Sequence, residues 1–478
     1  VQLSKNKTIG LFAAVLMVGI GYTGYRLDRA KHELEWYKRT FGYRTPTVGV
    51  SGCVCEDPQW RGLLLDADIV YTDGAHNIEP FDIDGDGTLE LVADSYRSDT
   101  LMVYKPGRNP AEAREWTRHV IDAHVGGGIP RHPTALYAKA ALKRDLIDNY
   151  VEGAHYTAIA DVSGDGVPDL VVAGDLMRYD VTWYQTAAGA CGQMPSWTKH
   201  AVYEDDTHRT YHVETGDLDG DGDRDIVFTT KTDNRLGWLE NRGPTCAWPA
   251  RIVDANCVRC FYARAVDLNG DGRAEIVASE DNAPCGGRLH LYVSCGDPRR
   301  AGSWKRHDIA RFPPGHGVSV FAIRDMDDDG NGDIAAASHQ GDVFVLRNPG
   351  PQLVDQPWDT FLVTGGCANQ GRDFREIDVG DIDLDGNPDI VVADEAQNAV
   401  VWYQNPGATF RTGWSTHVVD QSDVYLRWCH CVRLADIDRD GDLDIAVAAA
   451  ASNTFLLYLN EVRPDGGRHA VSTPSGPP

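Results

Sequence analysis

Apolar runs of about five to seven residues recur along most of the chain, each separated from the next by a polar segment, and they come in a fixed order. "LELVADS", "DLVVAGD", "DIVFTT", "EIVASED", "DIAAAS", "DIVVADE" and "DIAVAAA" form one column. A second column follows it: "LMVYKP", "VTWYQT", "LGWLEN", "LHLYVS", "VFVLRN", "VVWYQN" and "FLLYLN". Runs this short, rich in β-branched and aromatic residues, predict strands on a half-buried pleated surface. A third column begins at Trp116, Trp197, Trp248, Trp304, Trp358 and Trp414, as in "WTRHVID" and "WSTHVVD". With the short segment ahead of each first run, the unit has four strands, which predicts a propeller blade.

The polar segment between the short strand and the first column is itself a repeat. It reads "DIDGDGTLE" from Asp82, "DVSGDGVPD" from Asp161, "DLDGDGDRD" from Asp217, "DLNGDGRAE" from Asp267, "DMDDDGNGD" from Asp325, "DIDLDGNPD" from Asp381 and "DIDRDGDLD" from Asp436. The steps are 79, 56, 50, 58, 56 and 55 residues, so only the first interval carries an insertion. Self-similarity at a blade-length period predicts seven blades. Six tryptophan strands lie downstream of a loop, while "WRGLLLDAD" from Trp60 precedes the first loop. The N-terminal strand is therefore expected to complete the last blade, closing the ring and leaving no open sheet edge.

These loops and blade elements resemble the FG-GAP and VCBS repeat class, found in the propeller of integrin alpha subunits and in many bacterial secreted proteins. The likeness covers about residues 58 to 462, and the "WYQNP" and "WSTHVVD" elements look closer to the bacterial members. The resemblance implies the fold; members of the class have many unrelated functions.

Alternating carboxylates around a glycine turn supply the oxygens that a hard cation such as calcium requires. The expected ligand sets are Asp82, Asp84, Asp86 and Glu90; Asp161, Ser163, Asp165 and Asp169; Asp217, Asp219, Asp221 and Asp225; Asp267, Asn269, Asp271 and Glu275; Asp325, Asp327, Asp329 and Asp333; Asp381, Asp383, Asp385 and Asp389; and Asp436, Asp438, Asp440 and Asp444. About one calcium per blade is expected, held most weakly where Ser163 and Asn269 replace a carboxylate. The competing reading is a set of turns held by side-chain to backbone hydrogen bonds alone. Loops saturated by their own side chains leave no open position for a substrate, so the ions are expected to brace the blades.

The chain has 45 basic and 71 acidic residues, a net charge of −26, which argues against nucleic acid or an anionic membrane surface as partner. Eleven cysteines include the pairs Cys53 with Cys55, Cys257 with Cys260, and Cys429 with Cys431. None has zinc-ribbon spacing, and together with calcium loops they favour disulfides in an oxidising compartment, with Cys285 and Cys295 flanking one strand as the easiest pair to propose.

After a polar start at 1–7, Thr8 to Tyr25 is an uncharged stretch of 18 residues, just long enough for a transmembrane helix. A signal peptide is the alternative. Residues 26–57 keep helical composition at first and are expected to form a stalk and linker. The insertion at about 127–150 contains an expected helix near 132–148, and 463–478 reads as an extended tail. The propeller is then expected in the periplasm or extracellular space.

Five histidines stand ahead of the loops. His76, His155 and His430 lie six residues before the first loop aspartate, His212 five before and His316 nine before, so they could gather at one mouth of the channel. Such a ring could hold a transition metal or move protons, and some propellers of this class belong to polysaccharide lyases and sugar dehydratases. No carboxylate pair or nucleophile motif accompanies it. Three functions remain in view: a non-catalytic interaction or structural subunit of a transmembrane or extracytoplasmic protein assembly, a carbohydrate-active enzyme, and an adhesion receptor or pilin-like filament subunit.

Overall fold

The computed structural model describes residues 50–53 and 59–462, apart from 68–73, 97, 124, 126–153, 175–180, 188, 205–209, 231–232, 245–247, 282, 351–355, 365–370, 408–409 and 411–412. The expected membrane helix at 8–25, most of the stalk, the insertion helix near 132–148 and the tail at 463–478 lie outside the described residues. Among the described residues no helix is long and apolar enough to cross a membrane.

Seven antiparallel sheets are arranged as a propeller, and within the first six the strands neighbour one another in chain order from the axis outward, while the last takes its outer strands from the N-terminal end of the described chain. Blade 1 consists of Ala75–Phe81, Glu90–Ser95, Thr100–Lys105 and Thr117–Asp122. The other innermost strands are Ala154–Ala160, Thr210–Gly216, Ala263–Val266, Val320–Arg324, Phe374–Gly380 and Cys429–Ala435. The two middle strands of each blade are buried on both faces, which is why they read as continuous apolar runs rather than alternating ones. Their side chains fill the seams between neighbouring blades, as where Leu63, Met102, Tyr104 and Phe455 meet between the last blade and the first.

Trp60–Asp66 pairs with Thr454–Asn460, so the N-terminal strand closes the ring as its sequence position predicts. Glu461 adds a hydrogen bond to the Gln59 carbonyl at 3.0 Å, and the Gly74 amide donates to Asn453 Oδ1 at 2.9 Å. One element departs from expectation. Val50–Cys53, assigned to the linker, forms a fifth strand outside Trp60–Asp66.

The outer-strand tryptophans lock the blade ends. Trp116, Trp248 and Trp414 each donate their indole N–H to a carbonyl of the preceding loop, at 2.8, 3.0 and 3.1 Å. Between blades, Asn241 donates to the Val162 carbonyl at 2.9 Å and Asn460 to the Ile382 carbonyl at 2.8 Å, tying a strand end to the loop of the preceding blade.

The expected Cys285 to Cys295 bridge is not formed; both are exposed thiols. The strand Arg288–Ser294 separates them, and an extended run of that length holds its flanks on the order of 20 Å apart, against about 7 Å at most for a disulfide. Cys429 and Cys431 pack into different seams and so cannot pair with each other. Cys257 and Cys260 share one buried cluster, also as thiols.

Candidate functional site

Each acidic loop leaves the end of an innermost strand, turns through left-handed backbone and enters the second strand. Its sixth position is always glycine, with φ of 80° at Gly87 and 98° at Gly441, a conformation that a side chain would strain. The first aspartate accepts amide hydrogens from the turn: Asp82 takes those of Asp86 and Gly87 at 3.1 and 2.7 Å, and Asp381 those of Asp385 and Gly386 at 3.0 Å each.

The closing acid has a role that its spacing did not reveal. In all seven loops it accepts the amide of the second loop residue, from Ile83 to Glu90 at 3.0 Å through to Ile437 to Asp444 at 2.9 Å. In five of them its other oxygen accepts an amide at the end of the third strand, as Asn405 to Asp389 at 2.8 Å. The ninth residue is thus a clasp across the blade as well as a metal-ligand candidate.

In five loops three carboxylate oxygens lie within 4.8 Å of one another: Asp82, Asp84 and Asp86; Asp217, Asp219 and Asp225; Asp325, Asp327 and Asp333; Asp381, Asp383 and Asp385; Asp436, Asp438 and Asp444. The loops of Ser163 and Asn269 make no such group among the described residues. Asn269 instead donates to Glu275 at 2.6 Å. The crowding is electrostatically costly. Burial and then the neighbouring loop carboxylates push Asp225 and Asp389 up to about 8 and Asp438 to about 6. Oδ1 of Asp436 and of Asp438 are buried and accept no hydrogen bond. A hard cation satisfies both conditions, so the donor set fits calcium.

The histidines lie at the opposite ends of the innermost strands. His76 stands between His430 and His155, with ring centroids 3.9 and 4.0 Å away, and all three come from adjacent blades. The belt continues through Tyr211, 4.4 Å from His155, to Phe261 5.2 Å further on. Arg375 takes the same repeat position in blade 6, paired with Glu395 at 2.5 Å and Asp373 at 3.1 Å. The three histidines do meet, as close, mutually tilted rings with interplanar angles of 38° and 48°; they are not among the groups whose ligand atoms converge among the described residues.

His212 and His316 do not join them. His212 is one residue deeper in its strand, so its ring points elsewhere and packs 4.0 Å from Tyr262 and 4.8 Å from Tyr156. Burial, reinforced by Arg264 and Arg433, holds it well below the usual imidazole range. His316 sits before its strand begins at Val320, with Nδ1 2.9 Å from Asp342.

Below the belt the channel holds an ionic network missed in the sequence. Arg433 contacts Glu79 at 2.8 Å and Glu376 at 3.4 Å; Glu376 accepts from Tyr262 at 3.4 Å; Tyr262 accepts from Arg264 at 2.6 Å; and Arg264 pairs with Glu214. Glu79, Glu214, Arg264, Asp378 and Arg433 each stand three residues before a loop, a column of charges that aligning the repeats exposes. With Tyr156 and His212 several of them line a cavity of about 230 Å³.

The fold and its loops define a seven-bladed propeller with an acidic turn in every blade. Residues 161–228, 217–278, 325–392 and 381–447 match the FG-GAP-like repeat, together half of the chain, and the chain belongs to that family. Among solved structures it is similar to the virginiamycin B lyase from Staphylococcus aureus, at 12% identity, TM-score 0.48 and coverage of 84% of this chain and 98% of that one. It is likewise similar to BBS1N, solved in complex with ARL6DN, at 12% identity, TM-score 0.47 and coverage of 87% and 98%. Likeness at this level carries no argument about activity. No curated protein matches the chain.

Proposed function

We propose that the chain is a non-catalytic interaction or structural module: a calcium-braced propeller, anchored by residues 8–25 and presented to protein partners outside the cytoplasm. The fold and repeats fit an interaction or structural role in general. The observation that carries the non-catalytic part is the state of the channel. Its arginines are committed to Glu79, Glu376 and Glu214, and its mouth histidines are packed against one another, so these groups are engaged in holding blades together.

The anchor reading rests on composition. A simple tether needs only apolar length, yet this stretch carries Gly10, Gly19, Gly21 and Gly24, and glycine weakens a helix by about 1 kcal/mol relative to alanine. Small residues let a second transmembrane helix approach closely. Purification in mild detergent should therefore bring down membrane partners in fixed ratio. Replacing Gly19, Gly21 and Gly24 with leucine should release them while the protein stays membrane-bound and folded. A native protein that runs alone would make a tethered receptor the better account.

One observation favours a second reading. The cavity beneath the mouth has Tyr156, His212, Glu214 and Arg264 in its lining, polar groups suited to a carbohydrate ligand.

A further inference from the structure

The third strand of every blade passes beside the acidic loop. Tyr104, Tyr184, Leu239, Tyr292, Leu346, Tyr403 and Tyr458 each pair with the residue that follows the closing acid. The next residue therefore sits alongside the loop's carboxylates, and it differs from blade to blade: Lys105, Gln185, Glu240, Val293, Arg347, Gln404 and Leu459.

In blade 1 the Lys105 ammonium contacts Asp84 and lies 3.3 Å from Asp86 and 3.2 Å from Glu90. In blade 5 Arg347 contacts Asp327. In blade 3 Glu240 draws in Arg299 from the next blade at 2.9 Å, and that guanidinium lies 2.6 Å from Asp219 and 3.0 Å from Asp221. Blade 6 has the neutral Gln404 at this position, whose amide donates to Asp383 at 2.5 Å.

We infer that Lys105, Arg299 and Arg347 are resident cations that take the place of calcium in blades 1, 3 and 5, so that these three loops bind calcium less tightly than the loop of blade 6. The inference rests on the calcium reading above and sharpens it. A side-chain cation within hydrogen-bond distance of the third-position aspartate neutralises the charge that attracts the ion and occupies the space that it needs. Calcium must displace it at the cost of that pair. In blade 6 it need only turn an amide aside.

The test exchanges the two arrangements. Lys105→Gln gives blade 1 the residue of blade 6, and Gln404→Lys does the reverse. Full-length protein in detergent, stripped with EGTA, is titrated with calcium alone by calorimetry and equilibrium dialysis, with circular dichroism to confirm folding. The wild type should bind tightly fewer ions than it has loops, Lys105→Gln one more than the wild type and Gln404→Lys one fewer. Should Lys105→Gln fail to fold, Arg347→Gln makes the same test in blade 5. Tight binding at every loop of the wild type, or an ion count unmoved by either exchange, overturns the inference and leaves calcium bracing intact. A wild type that binds no calcium at millimolar concentration overturns both.

Discussion

Arg433 and Glu79 are 354 residues apart in the chain, and Arg433 Nε lies 2.9 Å from both Glu79 carboxylate oxygens. They join the innermost strands of the last and first blades, inside the same seam that the N-terminal strand closes from the rim. Cys431 Sγ adds a contact to Asn77 Oδ1 at 3.2 Å two residues away. Burial disfavours the Arg433 charge and Glu79 and Glu376 restore it, leaving the guanidinium well above its ordinary value.

Removing one member of such a pair strands the other. Arg433→Met should destabilise the ring by about 3–5 kcal/mol, and Glu79→Gln by less, because Glu376 remains beside the guanidinium. Adding Glu79→Leu to Arg433→Met should recover part of the loss. Thermal melts of the single and double variants read this directly, and full additivity would mean that the pair is uncoupled.

Chelation should be felt by the whole ring. Calcium that binds only the folded loops stabilises by mass action, so EGTA should lower the melting temperature by many degrees and added calcium should restore it. An unchanged melt would remove the cation from the account of this fold.

Asp94 supplies a pH dependence outside the loops. Burial pushes its carboxyl up to about 7, against a hydrogen bond of 2.8 Å from the Thr157 hydroxyl. The folded protein then holds a proton that the unfolded chain has released, from about pH 4 to pH 7. Its penalty is absent below that window, grows through it and is complete above it. Asp94→Asn keeps an acceptor for Thr157 without the charge, so it should stabilise by on the order of 2–4 kcal/mol at pH 8 and by little at pH 4. Equal melts of parent and variant at pH 8 would show that Asp94 is solvated.

For the histidine belt, the expected result is structural. His155→Ala with His430→Ala removes the two histidine rings packed on His76 and should lower stability by a few kcal/mol, in the range of large-to-small core changes. Assays against polyuronates and keto-sugars should find no turnover to lose. Turnover by the parent that vanishes in the double variant would promote the carbohydrate-active reading.

The strands, the loops and the ring closure were legible because each is written locally. A run of five apolar residues, an aspartate every second position and a tryptophan opening the outer run need no knowledge of distant partners. Val50–Cys53 escaped because "VSGC" has no periodicity of its own and pairs with an edge that exists only once the ring is closed. The channel network escaped for the same reason: Glu376 and Arg433 look like ordinary polar residues until the inner strands of neighbouring blades converge. His212 and His316 were grouped with the mouth by offset alone, which ignores the alternation of a strand and the point at which it begins.

The fifth strand has a mechanical meaning. Force arriving through residues ahead of Val50 meets the short ladder in which Val50, Ser51 and Cys53 face Leu64, Leu63 and Gly62 before it can load the longer one from Trp60 facing Asn460 to Asp66 facing Phe455. The outer ladder would therefore open first under such a load, with the inner one still keeping the circle shut. A pull on the chain ahead of Val50 would be taken first at the rim, with the blades behind it still in register.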